Sequence, residues 1–194
     1  MKTRFVIGAM FALLFAASAA QAAIVHYVAN LTGEAENPDV VTPATGWVDL
    51  EYDSATHMMR VRATFSGLLG TTTAAHIHCC AASATTNAGV ATMTPSFVGF
   101  PLGVMDGIFD ATYDMSLASS YNAAFVTGSG GTVALAETRL FTGMAAGQAY
   151  FNIHTNRFPG GEIRGTLVVP EPSSLALVAF ALAAVGASAR KRLA

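Results

Sequence analysis

The sequence predicts an all-β domain, an antiparallel Greek-key β-sandwich or barrel with long loops and one short helix, flanked by an apolar segment at each end. Two observations predict this fold class: short segments alternate apolar and polar residues with a period of two, and turns rich in Gly and Pro separate them. The alternation is typical of half-buried strands, because successive side chains of a strand point to opposite faces of the sheet. Many short strands of this kind are typical of sandwiches and barrels.

The clearest predicted element is a hairpin. Apolar and polar residues alternate over residues 47–52 and again over residues 58–65, and residues 53–56 form a four-residue turn between them. In this pairing, two arginines of the second strand face water beside two acidic residues of the first: Arg60, Arg62, Asp49 and Glu51. Such cross-strand charge pairs stabilise a sheet by roughly 0.2–1 kcal/mol each.

Further strands are predicted over residues 108–115, 150–155 and 162–169. Between the last two, Pro159 followed by Gly160 predicts a type II turn, which needs a positive φ at its second central residue. A helix is predicted over residues 132–142, with Gly143 closing it. The long segments that remain, residues 79–107 and 116–131, are predicted to be loops.

The first 22 residues are typical of a signal peptide. Lys2 and Arg4 precede an apolar core at residues 5–15, and Ala20-Gln21-Ala22 supplies the small residues of a cleavage site. The apolar core is well short of the roughly 20 residues that span a membrane. We therefore expect the mature chain to begin near Ala23.

The C-terminus has the order of a sorting signal. Pro170-Glu171-Pro172 opens it, an uncharged run continues to Ala189, and Arg190-Lys191-Arg192 ends it. As a helix, the uncharged run from Pro172 is roughly 27 Å long at 1.5 Å per residue, which is marginal for spanning a membrane. The basic residues favour the cytoplasmic side, so we expect a transmembrane helix that holds the exported chain at the inner membrane. A permanent type I membrane anchor is the alternative.

Residues 23–169 are left as one exported domain with an acidic charge balance. From residue 24 to residue 169 there are five Arg against eleven Asp and Glu, and both lysines of the chain lie outside this range. A surface of this kind cannot neutralise phosphates, which argues against nucleic-acid binding. The sequence contains no nucleophile-elbow serine, Walker loop or His-Glu-x-x-His motif, so it identifies no catalytic residue and does not indicate an enzyme.

Three histidines are candidate metal ligands. His76 and His78 are two residues apart, so on a strand they share a face, and His154 on another predicted strand is the candidate third ligand. Such a set is a common way to bind copper or zinc. The alternative is a structural role, in which the imidazoles hydrogen-bond to loop backbone. His26 and His57 are expected to be ordinary surface residues.

Cys79 and Cys80 directly follow His78. Export to an oxidising compartment favours a disulfide between them, although adjacent Cα atoms are closer than those of most bridges. The alternatives are that the sulfur atoms bind a metal beside the histidines or form a bridge to another molecule.

The sequence resembles two known modules. The segments 31–38 (LTGEAENP), 75–78 (AHIH), 150–155 (YFNIHT) and 158–165 (FPGGEIRG) resemble the CHRD domain, named after chordin, over nearly all of residues 24–169. Many members have Gly after His-Ile-His, where this chain has two cysteines. The tail resembles the PEP-CTERM signal that exosortases recognise in Gram-negative bacteria. The His-x-His strand is also similar to that of Cu,Zn superoxide dismutase, although the full ligand set of that enzyme is not present.

These resemblances imply an exported protein that an exosortase-type enzyme processes near Pro170-Glu171-Pro172 and that ends at the cell surface or outside the cell. CHRD domains have no established catalytic activity. Our leading hypothesis is a non-enzymatic structural or adhesive protein without a cofactor, in contact with extracellular polysaccharide or surface proteins. The alternative is a copper- or zinc-binding domain that uses His76, His78 and His154.

Overall fold

The computed structural model of the chain describes residues 24–83 and 85–170. The predicted signal peptide, and the sorting tail from Glu171 onwards with its apolar run and its basic end at Arg190-Lys191-Arg192, lie outside the described residues. The strands of the described part are β1 Ile24–Thr32, β2 Thr45–Asp53, β3 Met58–Ser66, β4 Thr72–Cys79, β5 Gly107–Asp114, β6 Ala149–Thr155 and β7 Ile163–Thr166. Its helices are α1 Ala123–Gly128 and α2 Val133–Ala145, preceded by a 3₁₀ turn at Ala118–Ser120. Among these helices, none has the length and apolar character needed to cross a membrane.

The strands form one curled, antiparallel sheet that resembles half of a barrel. Its strand order is β4-β6-β7-β1-β2-β3-β5, so the chain passes from β3 near one edge to β4 at the opposite edge. The concave side encloses the core, where alternate residues of neighbouring strands, such as Val48, Leu50, Val61 and Phe151, are fully buried. The all-β antiparallel prediction is confirmed, and the strands belong to a single continuous sheet.

The predicted hairpin is confirmed as β2 and β3, with Trp47 opposite Thr64 and Asp49 opposite Arg62. Arg62 donates to both Asp49, at 2.9 Å, and Glu51, at 2.6 Å. Arg60 instead forms a bidentate pair with Asp110 of β5. The predicted cross-strand charge pairs therefore extend over three strands, because β5 pairs with β3 on the side away from β2.

The helix prediction is right at its start and wrong at its end. The Thr132 side chain caps α2 by accepting a hydrogen bond from Leu135, but the helix continues through Gly143 to Ala145. Gly143 does not end the helix because its role is steric: a Cβ on it would lie within 2.6 Å of both sulfur atoms of Cys79 and Cys80.

Two predictions for connecting segments are also wrong. Residues 116–131 are not only loop, because they contain the 3₁₀ turn and α1, which Asn122 caps. The turn at Pro159 and Gly160 closes with a hydrogen bond from Gly161 to Phe158, but the positive φ of 128° belongs to Gly161 and not to Gly160. It is therefore not a type II turn.

His57 is not an ordinary surface residue. Its Nδ1 lies 2.8 Å from Glu137, a buried carboxylate of α2 that also accepts a hydrogen bond from the Tyr52 hydroxyl at 2.7 Å. These contacts hold α2 against the β2–β3 hairpin. The hydrogen bond to Glu137 raises the pKa of His57.

Candidate functional site

The strands β4, β6 and β7 bring a set of polar residues together on one face of the sheet. The pairing places His76 opposite Asn152 and His78 opposite Tyr150, and Asn152 opposite Arg164. The alternating residues, such as Ile77 and Phe151, point into the core. Loops cover the polar face as well, so these strands are buried on both sides. We call the set His76, His78, Tyr150, Asn152, His154 and Arg164 the polar layer.

Each of the three histidines has one ring nitrogen committed to a backbone carbonyl. A carbonyl oxygen only accepts hydrogen bonds, so that nitrogen must carry the proton, and the other nitrogen of the neutral ring keeps a lone pair. The lone pairs are therefore at His76 Nδ1, His78 Nε2 and His154 Nε2. The bonds that fix them are His76 Nε2 to Pro95 O at 2.7 Å, His78 Nδ1 to Ala88 O at 2.9 Å and His154 Nδ1 to Pro159 O at 2.9 Å.

The three rings converge. One nitrogen of each lies within 4.8 Å of the others, and His78 Nε2 is 3.4 Å from His154 Nε2. Because both of these nitrogens keep a lone pair, neither can donate a hydrogen bond to the other. A tetrahedral ion with metal–nitrogen bonds of about 2.0–2.1 Å separates its ligand nitrogens by about 3.3–3.4 Å. The His78–His154 separation is therefore that of two nitrogen ligands of one ion.

Burial keeps the histidines in the neutral form that binds metals. It lowers the pKa of His76, His78 and His154, and for His78 the pKa falls to about 4. The hydrogen bonds to the backbone carbonyls oppose this shift but do not reverse it. At neutral pH all three rings are therefore uncharged, and a metal ion has no proton to displace.

The ring of His78 is held by contacts with Tyr150, which Arg164 and the backbone of Ala88 position in turn. It stacks on Tyr150 with ring centroids 4.9 Å apart, and the Arg164 guanidinium lies 4.6 Å from the centroid of Tyr150. The Tyr150 hydroxyl accepts a hydrogen bond from the backbone of Ala88, the residue whose carbonyl orients His78. Outer contacts of this kind fix the orientation of metal-binding imidazoles.

Glu36 also belongs to the polar layer, beside Asn152, and neither residue was predicted from the sequence. Each is buried and has a side-chain oxygen, Glu36 Oε1 or Asn152 Oδ1, without a hydrogen-bond partner among the described residues. Glu36 Oε2 is 3.9 Å from Arg164 Nε. Burial raises the pKa of Glu36 to about 7, although Arg164 acts in the opposite direction. Asn152 could have been found from its position two residues before His154, whereas Glu36 comes from a distant loop.

Cys79 and Cys80 are joined by a disulfide across a cis peptide bond. Both sulfur atoms face Gly143 of α2, and Cys79 is buried in the core. Since adjacent residues of a strand point to opposite faces, Cys79 lies on the side of β4 away from His78. The disulfide therefore packs against α2 at the end of β4, and its sulfur atoms are not grouped with the histidines.

A second group of potential ligands, His26, Asp49 and Glu51, lies on the outer face of the sheet. His26 is exposed, as predicted, and Arg62 already binds both carboxylates. This group is a charge-paired surface cluster rather than a converging set of unprotonated nitrogens.

Comparisons with known proteins agree with the two modules. The family model of the CHRD domain matches residues 27–167, and the model of the PEP-CTERM protein-sorting motif matches residues 168–192, which include Pro170-Glu171-Pro172. Searches against curated proteins and against solved structures gave no match.

Proposed function

We propose that this chain, which belongs to the CHRD-domain family and whose PEP-CTERM sorting motif makes it an exported protein for exosortase-type processing, binds copper or zinc. The ligands are His76, His78 and His154. The site acts at the cell surface or outside a Gram-negative cell, after the tail has held the chain at the inner membrane.

One observation carries this proposal: two lone-pair nitrogens, on His78 and His154, face each other at 3.4 Å with their tautomers fixed by backbone carbonyls. A purely structural histidine gains stability from partners for both nitrogens, and this arrangement gives neither Nε2 a donor. A metal ion between them satisfies both lone pairs. His76 Nδ1, buried and unpartnered among residues 24–83 and 85–170, supplies the third ligand.

The ligand set favours copper or zinc over harder ions. Imidazole nitrogen suits both metals, whereas calcium and magnesium prefer oxygen ligands. Three protein ligands leave one position of a tetrahedral ion for a further ligand. That open position is compatible with storage, transport or chemistry, and we assign no reaction to it.

The test is the metal content of the full chain, expressed without a metal-binding tag in a host that exports it. We expect close to one copper or zinc per chain, measured by elemental analysis. His78→Ala and His154→Ala should each remove it, while the matched control His26→Ala should retain it. A folded wild-type chain with no metal after dialysis against copper and zinc would contradict the proposal.

A second function, a structural or adhesive role in the envelope or matrix, is supported by the outer face of the sheet. There Trp47 is 42% exposed and Ile108 is 79% exposed. Together with Asn30 and Thr64 they form one row of paired residues across β1, β2, β3 and β5. An aromatic ring beside amide and hydroxyl groups suits the apolar and polar faces of a sugar, so polysaccharide is the partner to test. Co-sedimentation with the extracellular polysaccharide of the host should be lost in Trp47→Ala and kept in His78→Ala, and equal sedimentation of both variants would contradict this role.

A further inference from the structure

The polar layer contains more unpartnered acceptors than the rest of the described chain. In residues 24–83 and 85–170, four buried side-chain atoms lack a hydrogen-bond partner: Glu36 Oε1, Asp49 Oδ1, His76 Nδ1 and Asn152 Oδ1. All four are acceptors, and three of them belong to the candidate metal site and its immediate surroundings. Leaving a buried polar group unpaired costs about 1–3 kcal/mol, so a cluster of three indicates a ligand that supplies donors or positive charge. The metal ion accounts for His76 Nδ1 but not for the two oxygen atoms.

The two oxygen atoms are neighbours. A Cβ on Gly161 would lie 2.5 Å from both Oδ1 and Nδ2 of Asn152 and 2.6 Å from Glu36 Oε1, so the Asn152 amide and the Glu36 oxygen approach the same bare backbone position. Gly161 has a φ of 128°, which favours glycine for a second reason. Asn152 is directly opposite His76 on the sheet and two residues from His154, on the same face as both. The oxygen pair therefore borders the three histidines.

Solvent reaches this corner of the polar layer from the side of Glu36. A cleft of about 260 Å³ opens there, with Glu36 and Arg164 in its wall. Glu34 and Asp39 line the same cleft and give it a negative charge. These acidic side chains repel anions and attract cations or neutral donors to the side of the cleft that Glu36 lines.

We propose that Glu36 and Asn152 form an accepting wall beside the open position of the metal, and that this position takes a small ligand that donates hydrogen bonds. Water is the smallest such ligand, and neutral molecules with N–H or O–H groups, such as amines, azoles and alcohols, belong to the same class. Acceptor-only anions such as azide or halides are disfavoured, because they would place lone pairs and negative charge against the two oxygens. This inference rests on the proposed metal site and names the class of its ligand.

The side-chain amide of Asn152 is oriented for this role. Its Nδ2 is directed at the Gly160 carbonyl at 3.5 Å, which leaves Oδ1 as the atom without a partner. The Arg164 guanidinium is held by Ala35 O and Asn87 Oδ1, and it fixes the cleft side of Glu36. The Asn152 amide and the Glu36 carboxylate are therefore held by contacts that do not use Asn152 Oδ1 or Glu36 Oε1.

The test uses the full chain loaded with Cu(II) and two probes, imidazole as a donor-bearing ligand and azide as an acceptor-only ligand. Binding is followed by the visible and electron paramagnetic resonance spectra of the metal. Asn152→Leu removes the acceptor at similar volume, and Asn152→Asp retains an acceptor. We expect Asn152→Leu to weaken imidazole binding by about five- to tenfold, which corresponds to the loss of one hydrogen bond. Azide binding should be unchanged or tighter. Asn152→Asp should keep imidazole binding and weaken azide.

Two controls separate this inference from the metal site itself. Metal content is measured first in every variant, and Gln148→Leu, at an exposed position just before β6, should bind both probes as the wild type does. If the wild type holds no metal, the proposed function is wrong, and this inference fails with it before any probe is added. If metal is bound, but Asn152→Leu weakens the binding of imidazole and azide equally or changes the binding of neither, the accepting wall is wrong and the metal site stands.

Discussion

Two buried carboxylates of this domain, Glu162 and Glu36, differ in a way that separates structure from function. Glu162 is fully buried, and both of its oxygens are saturated with donors. Its four hydrogen bonds come from Thr42 Oγ1 at 2.8 Å, Leu69 N at 2.6 Å, Gly70 N at 3.1 Å and Thr155 Oγ1 at 2.8 Å. Those contacts tie three separate segments of the chain to the start of β7.

Glu36 is nearly as buried but far from saturated. One oxygen lies 3.9 Å from the Arg164 guanidinium, and the other has no hydrogen-bond partner among the described residues. A carboxylate that serves only the fold gains from being saturated, as Glu162 is, because unpaired buried acceptors cost stability. The comparison therefore supports the proposal that the incomplete contacts around Glu36, Asn152 and the histidines belong to a binding site.

The largest expected effect comes from a substitution of Glu162, the carboxylate whose oxygens accept four hydrogen bonds. Glu162→Gln turns one accepting oxygen into a donating NH₂ group that faces existing donors, so we expect the free energy of unfolding to fall by about 2–4 kcal/mol. The matched change Glu36→Gln should alter it by less than about 1 kcal/mol at pH 6. Urea denaturation of both variants checks this. Equal losses would contradict the distinction between the two carboxylates.

The second effect compares His78 of the polar layer with His57, which contacts Glu137 on α2. With free metal at about a hundred times its dissociation constant, binding should stabilise the wild type by about 2.7 kcal/mol. His78→Ala should lose this metal-dependent gain, whereas His57→Ala should keep it while losing stability with or without metal, because it breaks the contact with Glu137. Thermal denaturation with metal and with chelator measures both. A His78→Ala variant still stabilised by metal would refute the ligand assignment.

The third effect tests the attachment of β4, which carries His76 and His78, to α2. Gly143→Ala places a Cβ against both sulfur atoms of the disulfide, so we expect a loss of roughly 1–3 kcal/mol in unfolding free energy. Gly128→Ala, whose nearest neighbour is the flexible end of Arg139, is the control and should change stability by less than about 0.5 kcal/mol. Equal stability of the two variants in chemical denaturation would show that α2 does not press on the disulfide.

The smallest effect is a gradual dependence on pH. Burial raises the pKa of Glu36 from 4.5 to about 7, so the folded state holds a proton that the unfolded chain has released in this window. Stability should therefore be highest below about pH 4.5 with respect to this group and fall as the pH rises towards 7. The full shift corresponds to roughly 3 kcal/mol, which solvent screening from the adjoining cleft reduces to about 1–2 kcal/mol. Glu36→Gln cannot titrate and should flatten this part of the curve. An unchanged slope in unfolding experiments across pH 4.5–7.5 would contradict the raised pKa.

The sequence was informative where structure is local. The alternation in residues 47–52 and 58–65 predicted β2 and β3, because a half-buried hairpin imposes that pattern on neighbouring residues. The spacing of His76 and His78 predicted their shared face for the same reason. The strand β1 was not predicted, because Ile24 and Val28 place apolar residues among its outward positions and weaken the alternation.

The rest depends on contacts between distant parts of the chain. The Gly143 signal for a helix end was overridden by the packing of α2 against Cys79 and Cys80, which no local pattern shows. Glu36 reaches the polar layer from a loop more than a hundred residues before Asn152, and only the strand order brings them together. The side chains of Glu36 and Asn152 likewise leave no room for a Cβ at Gly161, which the turn sequence alone does not show.

The most direct test of the central claim is the X-ray absorption spectrum of the full chain loaded with zinc or copper. A site formed by His76, His78 and His154 predicts three imidazole nitrogens and one further light atom at about 2.0–2.1 Å from the metal, with no sulfur neighbour. A sulfur shell at about 2.3 Å, or a metal surrounded only by oxygen atoms, would contradict it.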